Sequence, residues 1–184
     1  MSIATGGGTR LHFGCGRNLM EGWVNIDSGD WPGVMRFDLT QPLPWAAETI
    51  EFAYSEHYLE HLDLAEGLSF LREVVRILMP GGVFRLSTPD LSKLLEQYQE
   101  RRIVEWLDVG WTPGTPCDMV NEGMRLWDHK YLYDREKLEV VLAAAGFDRI
   151  CPVTWRASEI APLVNLESRP FHGELIYEVH KAAG

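Results

Sequence analysis

Leu11–Asp27 reads LHFGCGRNLMEGWVNID. The apolar run Leu11-His12-Phe13 stops at Gly14-Cys15-Gly16, and a second run, Trp23-Val24-Asn25-Ile26, stops at the carboxylate of Asp27. The pattern is strand, glycine turn, strand, acid. In doubly wound α/β folds the first glycine turn lets the backbone approach a ligand, and an acid closing the next strand accepts hydrogen bonds from a ribose diol. A dinucleotide fingerprint would place a third glycine where Leu19 stands and its acid about twenty residues further on. Asp27 comes too soon for that and leaves little room for a crossover helix, whose N-terminus would serve a pyrophosphate. Taken alone, the same residues could equally form a tight turn beside a solvated acid.

Beyond Asp27, the glycines and proline of SGDWPG block a helix before the third short run, Val34-Met35-Arg36-Phe37, which ends in Asp38-Leu39. Ile50–Tyr54 reads as a fourth strand, followed by SEHYLEHL. Asp63 caps a helix with Glu66 in capping-box position. Leu68, Leu71, Val75 and Leu78 give that helix an apolar stripe opposite Arg72, Glu73 and Arg76, and Met79-Pro80-Gly81-Gly82 stops it before a fifth strand, Val83–Ser87. Thr88-Pro89-Asp90 opens a helix with Leu91, Leu94, Leu95 and Tyr98 on one side, expected to reach Trp106. Across residues 108–130, Gly110, Pro113, Gly114, Pro116 and Gly123 interrupt the pattern between Trp111 and Trp127, which predicts a lid or substrate loop, with a subunit contact as the alternative. Asp134 starts a helix that ends at Gly146, and Arg149–Trp155 and Glu174–His180 are β-rich. The small residues of Met1–Gly8 predict a loose tail.

With 184 residues, one domain over 1–184 is expected. Against 17 basic residues stand 27 acidic ones, and a formal charge of −10 disfavours a grip on nucleic-acid phosphates. Cys15, Cys117 and Cys151 are odd in number and far apart, which suits a reducing compartment and neither a disulfide framework nor a zinc site. No apolar run approaches the length of a membrane span, and MSIATGGGTR lacks the apolar core of a signal peptide. A cytoplasmic protein without a membrane or nucleic-acid partner and without a resident metal is expected.

The glycine turn and the acid after it resemble the first two cofactor motifs of class I S-adenosylmethionine-dependent methyltransferases. The stretch LREVVRILMPGGVFRLSTPD resembles the segment that runs into strand 5 of that family, and Leu59-Glu60-His61-Leu62 fits its turn after strand 4. The similarity covers nearly the whole chain except the first crossover helices. It implies a Rossmann-like sheet of order 3-2-1-4-5-7-6 with strand 7 antiparallel, the first crossovers being loops. It also implies S-adenosyl-L-methionine as cofactor, bound by Phe13, Gly14, Cys15, Gly16, Asn18, Asp27, Asp38, Leu39, Ser55 and Glu56, with Asp27 on the ribose and Asp38 and Leu39 at the adenine. The implied reaction is methyl transfer to an oxygen, nitrogen or carbon nucleophile; the acidic charge and the aromatic loop favour a small-molecule or glycan acceptor over nucleic acid, and a protein side chain fits as well. His57 and His129 are the candidate proton acceptors, with packing roles as the alternative.

Two other functions stay open. The shortened N-terminal half would suit a methyltransferase-like binding or regulatory module without catalysis. His57-Tyr58-Leu59-Glu60-His61 also spells H-x-x-E-H, a zinc-peptidase signature that requires a helix and a further ligand. A parallel sheet without its crossover helices needs cover on one face. The expected cover is the Leu91–Trp127 segment or a second copy of the chain, as a homodimer.

Overall fold

The computed structural model describes residues 8–184, so the tail expected over Met1–Gly8 lies, but for Gly8, outside the described residues. Seven strands form one sheet of order β3-β2-β1-β4-β5-β7-β6. They are β1 (Thr9–Phe13), β2 (Val24–Asp27), β3 (Met35–Arg36), β4 (Ile50–Glu56), β5 (Leu78–Thr88), β6 (Arg149–Pro152) and β7 (Leu175–His180). Strands β3 to β5 pair in parallel across the sheet, and β7 runs antiparallel to both β5 and β6. The connections β1–β2 and β2–β3 contain no helix. Among the described residues four α-helices complete the fold: α1 (Leu64–Ile77), α2 (Leu91–Gln99), α3 (Pro116–Arg125) and α4 (Arg135–Ala145).

Helix α1 begins at the expected cap. The Asp63 side chain accepts from the Ala65 and Glu66 N–H groups, and Glu66 accepts in return from the Asp63 N–H. Its buried face is Gly67, Phe70, Leu71, Val74 and Ile77. This rotates the predicted stripe: Leu68 and Val75 sit only half-buried on its margin, and Leu78 already belongs to β5. The Pro-Gly-Gly that follows is a bulge. Register shifts between Ile50 and Phe52 as β4 pairs with β5, and a Cβ on Gly82 would come within 2.9 Å of the Met79 carbonyl oxygen. Only glycine lets the backbones approach so closely.

The two sheet faces are covered differently. Leu11, Phe13, Phe84, Leu86, Tyr177 and Val179 point to one side and pack with α1 and α4 into the main core. On the other side Asn25, His12, Tyr54, Arg85, Glu178 and Cys151 stand opposite one another in register, a polar row across six strands. The β6–β7 connection folds back over this row: Arg85 is fully buried and donates to Glu167, to Glu178 and to the carbonyls of Ala157 and Thr154. The cover is therefore not Leu91–Trp127.

That segment corrects two further expectations. Helix α2 ends at Gln99 and not near Trp106, and it buries Leu94 and Gln97 while Leu95 and Tyr98 face solvent. Residues 108–130 are not a simple loop. Pro116, which reads as a breaker, occupies the first turn of α3 behind the N-cap Thr115, where a missing N–H costs nothing. Met119 and Trp111 join Leu94 in a second small core, with Gly123 letting the two helices meet closely.

Candidate active site

The C-terminal ends of β1, β2 and β4 open into a cavity of about 440 Å³, where open α/β sheets bind their ligands. Gly14, Cys15, Gly16, Arg17 and Asn18 form one wall, Asp27 and Ser28 a second, and Glu56, His57, Tyr58 and His61 a third. Ser168 and Arg169 close it from the β6–β7 connection.

Asp27 ties the first two walls together. One carboxylate oxygen accepts from the Gly16 N–H at 2.8 Å and the other from the Gly29 N–H at 2.9 Å. Each oxygen keeps a further lone pair for a ligand hydroxyl. Gly14 and Gly16 both adopt positive φ, +63° and +53°, but they do different things. A Cβ on Gly14 would strike the Tyr58 ring, whereas Gly16 has nothing within 4 Å and leaves an open cradle beside the Asp27 carboxylate. Cys15 is buried, and its thiol is pushed up to about 11 by that burial and by Asp27, so it is no thiolate nucleophile.

Of the other cofactor residues expected, Asn18 and Glu56 line the cavity. Glu56 is already engaged, accepting from the Ser168 N–H and hydroxyl and from the Arg169 N–H. Phe13, Leu39 and Ser55 are buried in the sheet and core behind the cavity. Asp38 is exposed and folded into a local turn, where bonds from the Thr40 hydroxyl and N–H hold its carboxyl below the usual range. The structure does not bring Asp38 or Leu39 to the cavity wall.

His57 also has a different role from the one expected. Held at φ +52°, it places Nδ1 3.1 Å from Glu60 and Nε2 3.5 Å from Glu174. Burial would lower its pKa, but the two carboxylates outweigh it and raise it to about 9. At neutral pH His57 is an imidazolium with both nitrogens paired, and cannot accept a proton. Glu60 is fully buried; desolvation pushes it up, yet His57 holds it below the usual carboxylate range, and its other oxygen takes the Thr88 hydroxyl. The H-x-x-E-H pattern does not form a peptidase helix either, because Leu59–His61 is a single tight turn.

A second pocket of about 100 Å³ adjoins the first through His57, His61 and Arg169. Glu60, His129, Trp106, Val109 and Trp127 complete its lining, and the Trp106 and Trp127 rings stack 6.1 Å apart. His129 Nδ1 lies 3.0 Å from the Gly123 carbonyl, which fixes the proton there and leaves Nε2 without a protein partner among the described residues. Burial lowers its pKa.

Sequence reasoning missed Ser168, Arg169 and Glu174, because nothing local marks residues that reach the site from over a hundred positions away. Arg85 carried a signal: a charged residue inside the apolar run Val83–Leu86 must find buried partners.

Residues 27–86 match the family model described as a methyltransferase domain. Among solved structures, a S-adenosylmethionine-dependent methyltransferase from Archaeoglobus fulgidus superposes with a TM-score of 0.60 at 14% identity, over 95% of this chain and 87% of that one. This is the fold of a class I S-adenosylmethionine-dependent methyltransferase. Of the same fold is the partner of the Trm112 methyltransferase activator in a Haloferax volcanii complex, with a TM-score of 0.58 at 14% identity over 97% of this chain and 84% of that one. A Thermotoga maritima protein described as a possible histamine N-methyltransferase gives 0.51 at 18% identity over 80% and 63%. The chain spans 36% of the length of a further relative from Nostoc punctiforme and 62% of one from Bordetella parapertussis. No curated protein sequence matches it. The Archaeoglobus fulgidus protein is described as dependent on S-adenosylmethionine. The open cradle at Gly16 beside the Asp27 carboxylate fits a ribose-bearing ligand. Among the described residues no helix is long and apolar enough to cross a membrane.

Proposed function

We propose that this chain transfers a methyl group from S-adenosylmethionine to a hydroxyl or amine of a small-molecule or glycan acceptor. The observation that carries the reading is the junction of the two cavities: a glycine-and-acid cradle meets an aromatic pocket at His57, His61 and Arg169. The bound cofactor supplies an electrophilic methyl on a sulfonium. Gly14-Cys15-Gly16, Asn18 and Asp27 would hold it, with Phe13 and Ser55 supporting the strands behind. Asp38 and Leu39 would reach an adenine only if the Thr40 turn opened. Trp106 and Trp127 offer ring faces on which an acceptor stacks and from which water is excluded. Holding the reactants in line supplies much of the acceleration in such a transfer. His57, paired on both sides, orients Glu60 and Glu174. His129 keeps a free ring nitrogen toward the pocket and is the histidine placed to touch the acceptor. A cytoplasmic setting and a homodimer belong to the same proposal.

A second reading has one observation behind it. Glu56 is occupied by Ser168 and Arg169, and the Tyr58 ring covers Gly14, so part of the cradle is filled. That would suit a binding or regulatory module, and the Haloferax relative in complex with an activator makes a protein partner reasonable for such a module.

Calorimetry with S-adenosylhomocysteine tests the first reading. The wild-type chain should bind it, and Asp27→Ala should bind at least about tenfold more weakly, as for loss of a charge-assisted bond worth about 1.5–3 kcal/mol. Equal affinity in a variant with an unchanged melting temperature would remove Asp27 from the site. Binding without turnover over a broad acceptor panel would favour the module.

A further inference from the structure

Three donor side chains meet at the floor of the aromatic pocket. Glu60, His61 and His129 each bring a ligand atom within 4.8 Å of the other two. We propose that they form a binding site for a divalent transition-metal ion, with an open coordination position facing Trp127 and the junction with the cofactor cavity. The sequence pointed to no resident metal, because an H-x-x-E-H site requires a helix and a further ligand; in the structure, moreover, His57 is taken by two carboxylates. The structure replaces it with His129, which arrives from the far end of α3.

Each ligand is prepared for coordination. His129 Nδ1 is held on the Gly123 carbonyl, the arrangement that turns the Nε2 lone pair outward and that metal-bound histidines ordinarily show. The His61 ring makes no hydrogen bond among the described residues and lies 5.1 Å from the His129 ring, edge to face. Glu60 is fully buried, and its carboxylate is steadied by His57 and the Thr88 hydroxyl. Two backbone bonds, from the Lys130 and Tyr131 N–H groups to the Glu60 carbonyl, fasten the His129 segment to the Glu60 turn, so the ligands are brought together by the fold itself.

Chemistry selects the ion. Two imidazoles and one carboxylate suit zinc, cobalt, iron(II) or manganese far better than magnesium or calcium, which take oxygen donors. Bonds of about 2.0–2.2 Å put tetrahedral donors roughly 3.3–3.6 Å apart, so the ring and carboxylate torsions must close the present spacing of up to 4.8 Å by as much as about 1.5 Å. Three protein ligands leave a position for an exogenous donor. On the methyl-transfer reading above, that donor is an acceptor oxygen or nitrogen entering past Trp127, and this part alone rests on that reading.

The test needs neither cofactor nor acceptor. Purified full-length protein, stripped with chelator, is titrated with cobalt(II) while the visible absorption is recorded. One equivalent should bind and give the intense bands of a four- or five-coordinate ion. His61→Ala and His129→Ala should each weaken binding at least roughly tenfold, since even loss of a ligand's outer partner costs that much. His180→Ala, on the distant end of β7, should bind like wild type. Should either variant fail to fold by circular dichroism, the wild-type chain with one equivalent of copper(II) should still show two nitrogen ligands by electron paramagnetic resonance. No binding by the folded wild-type chain, or binding unchanged in a folded His61→Ala and His129→Ala pair, overturns the site. S-adenosylhomocysteine calorimetry on the same metal-free protein reports separately on the methyltransferase reading.

Discussion

The two faces of one sheet have been covered by opposite means. On the helical face Phe13, Phe70 and Phe84 meet edge to face, and α1 and α4 bury a continuous apolar layer that needs no specific partner. On the other face, where crossover helices are absent, a connection between β6 and β7 provides the cover, and apart from the buried Leu163 it has little apolar surface to offer. It is fixed by directional bonds: Glu167 takes Arg85 with one oxygen and the Arg156 N–H with the other, and Ser168 and Arg169 bind Glu56. The difference bears on function, because the same connection supplies Arg169 to both cavities and ends at Glu174, the partner of His57. A face closed by hydrogen bonds is specific, and it is fragile to the loss of one partner.

The sharpest way to break that contrast is Arg85→Ala. It strands Glu167 and Glu178 as buried carboxylates and frees the carbonyls of Thr154 and Ala157, at a cost of about 3–5 kcal/mol in denaturant unfolding. Hydrogen exchange should show protection lost first over residues 153–173. If α1 loosens equally with that segment, the two faces are one cooperative unit and the contrast fails. A smaller effect is expected from Leu71→Met on the helical face. Leu71 is fully buried, but the swap conserves volume and removes no polar partner, so it should cost less than about 1.5 kcal/mol and leave the β6–β7 connection protected. A larger loss would mean that the helical face is as intolerant as the polar one.

This contrast also explains what the sequence revealed and what it hid. The Asp63 cap and the glycine-acid pair were legible, since each is a local rule written in neighbouring residues, whereas the strand order followed from the resemblance to a known family. Pro-Gly-Gly read as the stop of α1 and is instead a bulge inside β5. The helical periodicity of α1 came out rotated because Phe70 and Val74 were passed over in favour of Leu68 and Val75, which flank the same face. Helix α3 was hidden by Pro116, whose meaning depends on whether it follows a cap. The bonds that complete the site were the least legible. Glu56 to Ser168, His57 to Glu174 and Arg85 to Glu167 join residues brought together only by the final fold. A histidine such as His57 reads as a free base in sequence and becomes a paired cation in space.

The smallest effect concerns His12, in the middle of the polar row. Burial lowers its pKa below 6.5, against the opposing hydrogen bond of Asn25 and the charges of Glu56 and Asp27, with the Tyr54 ring packed alongside. The folded chain therefore keeps His12 neutral where the unfolded chain would protonate it. As pH falls below about 6.5 the unfolded state takes up more protons, so His12 contributes a loss of stability with falling pH. His12→Gln should remove this contribution, making the decline between pH 6.5 and 5 shallower by up to one proton's worth of slope. His129 and His180 shift in the same direction and stay unchanged in the variant, so the comparison of wild type with variant isolates His12. Parallel stability curves over that interval would mean that His12 is protonated at no cost, and that the polar face is open to water at its centre.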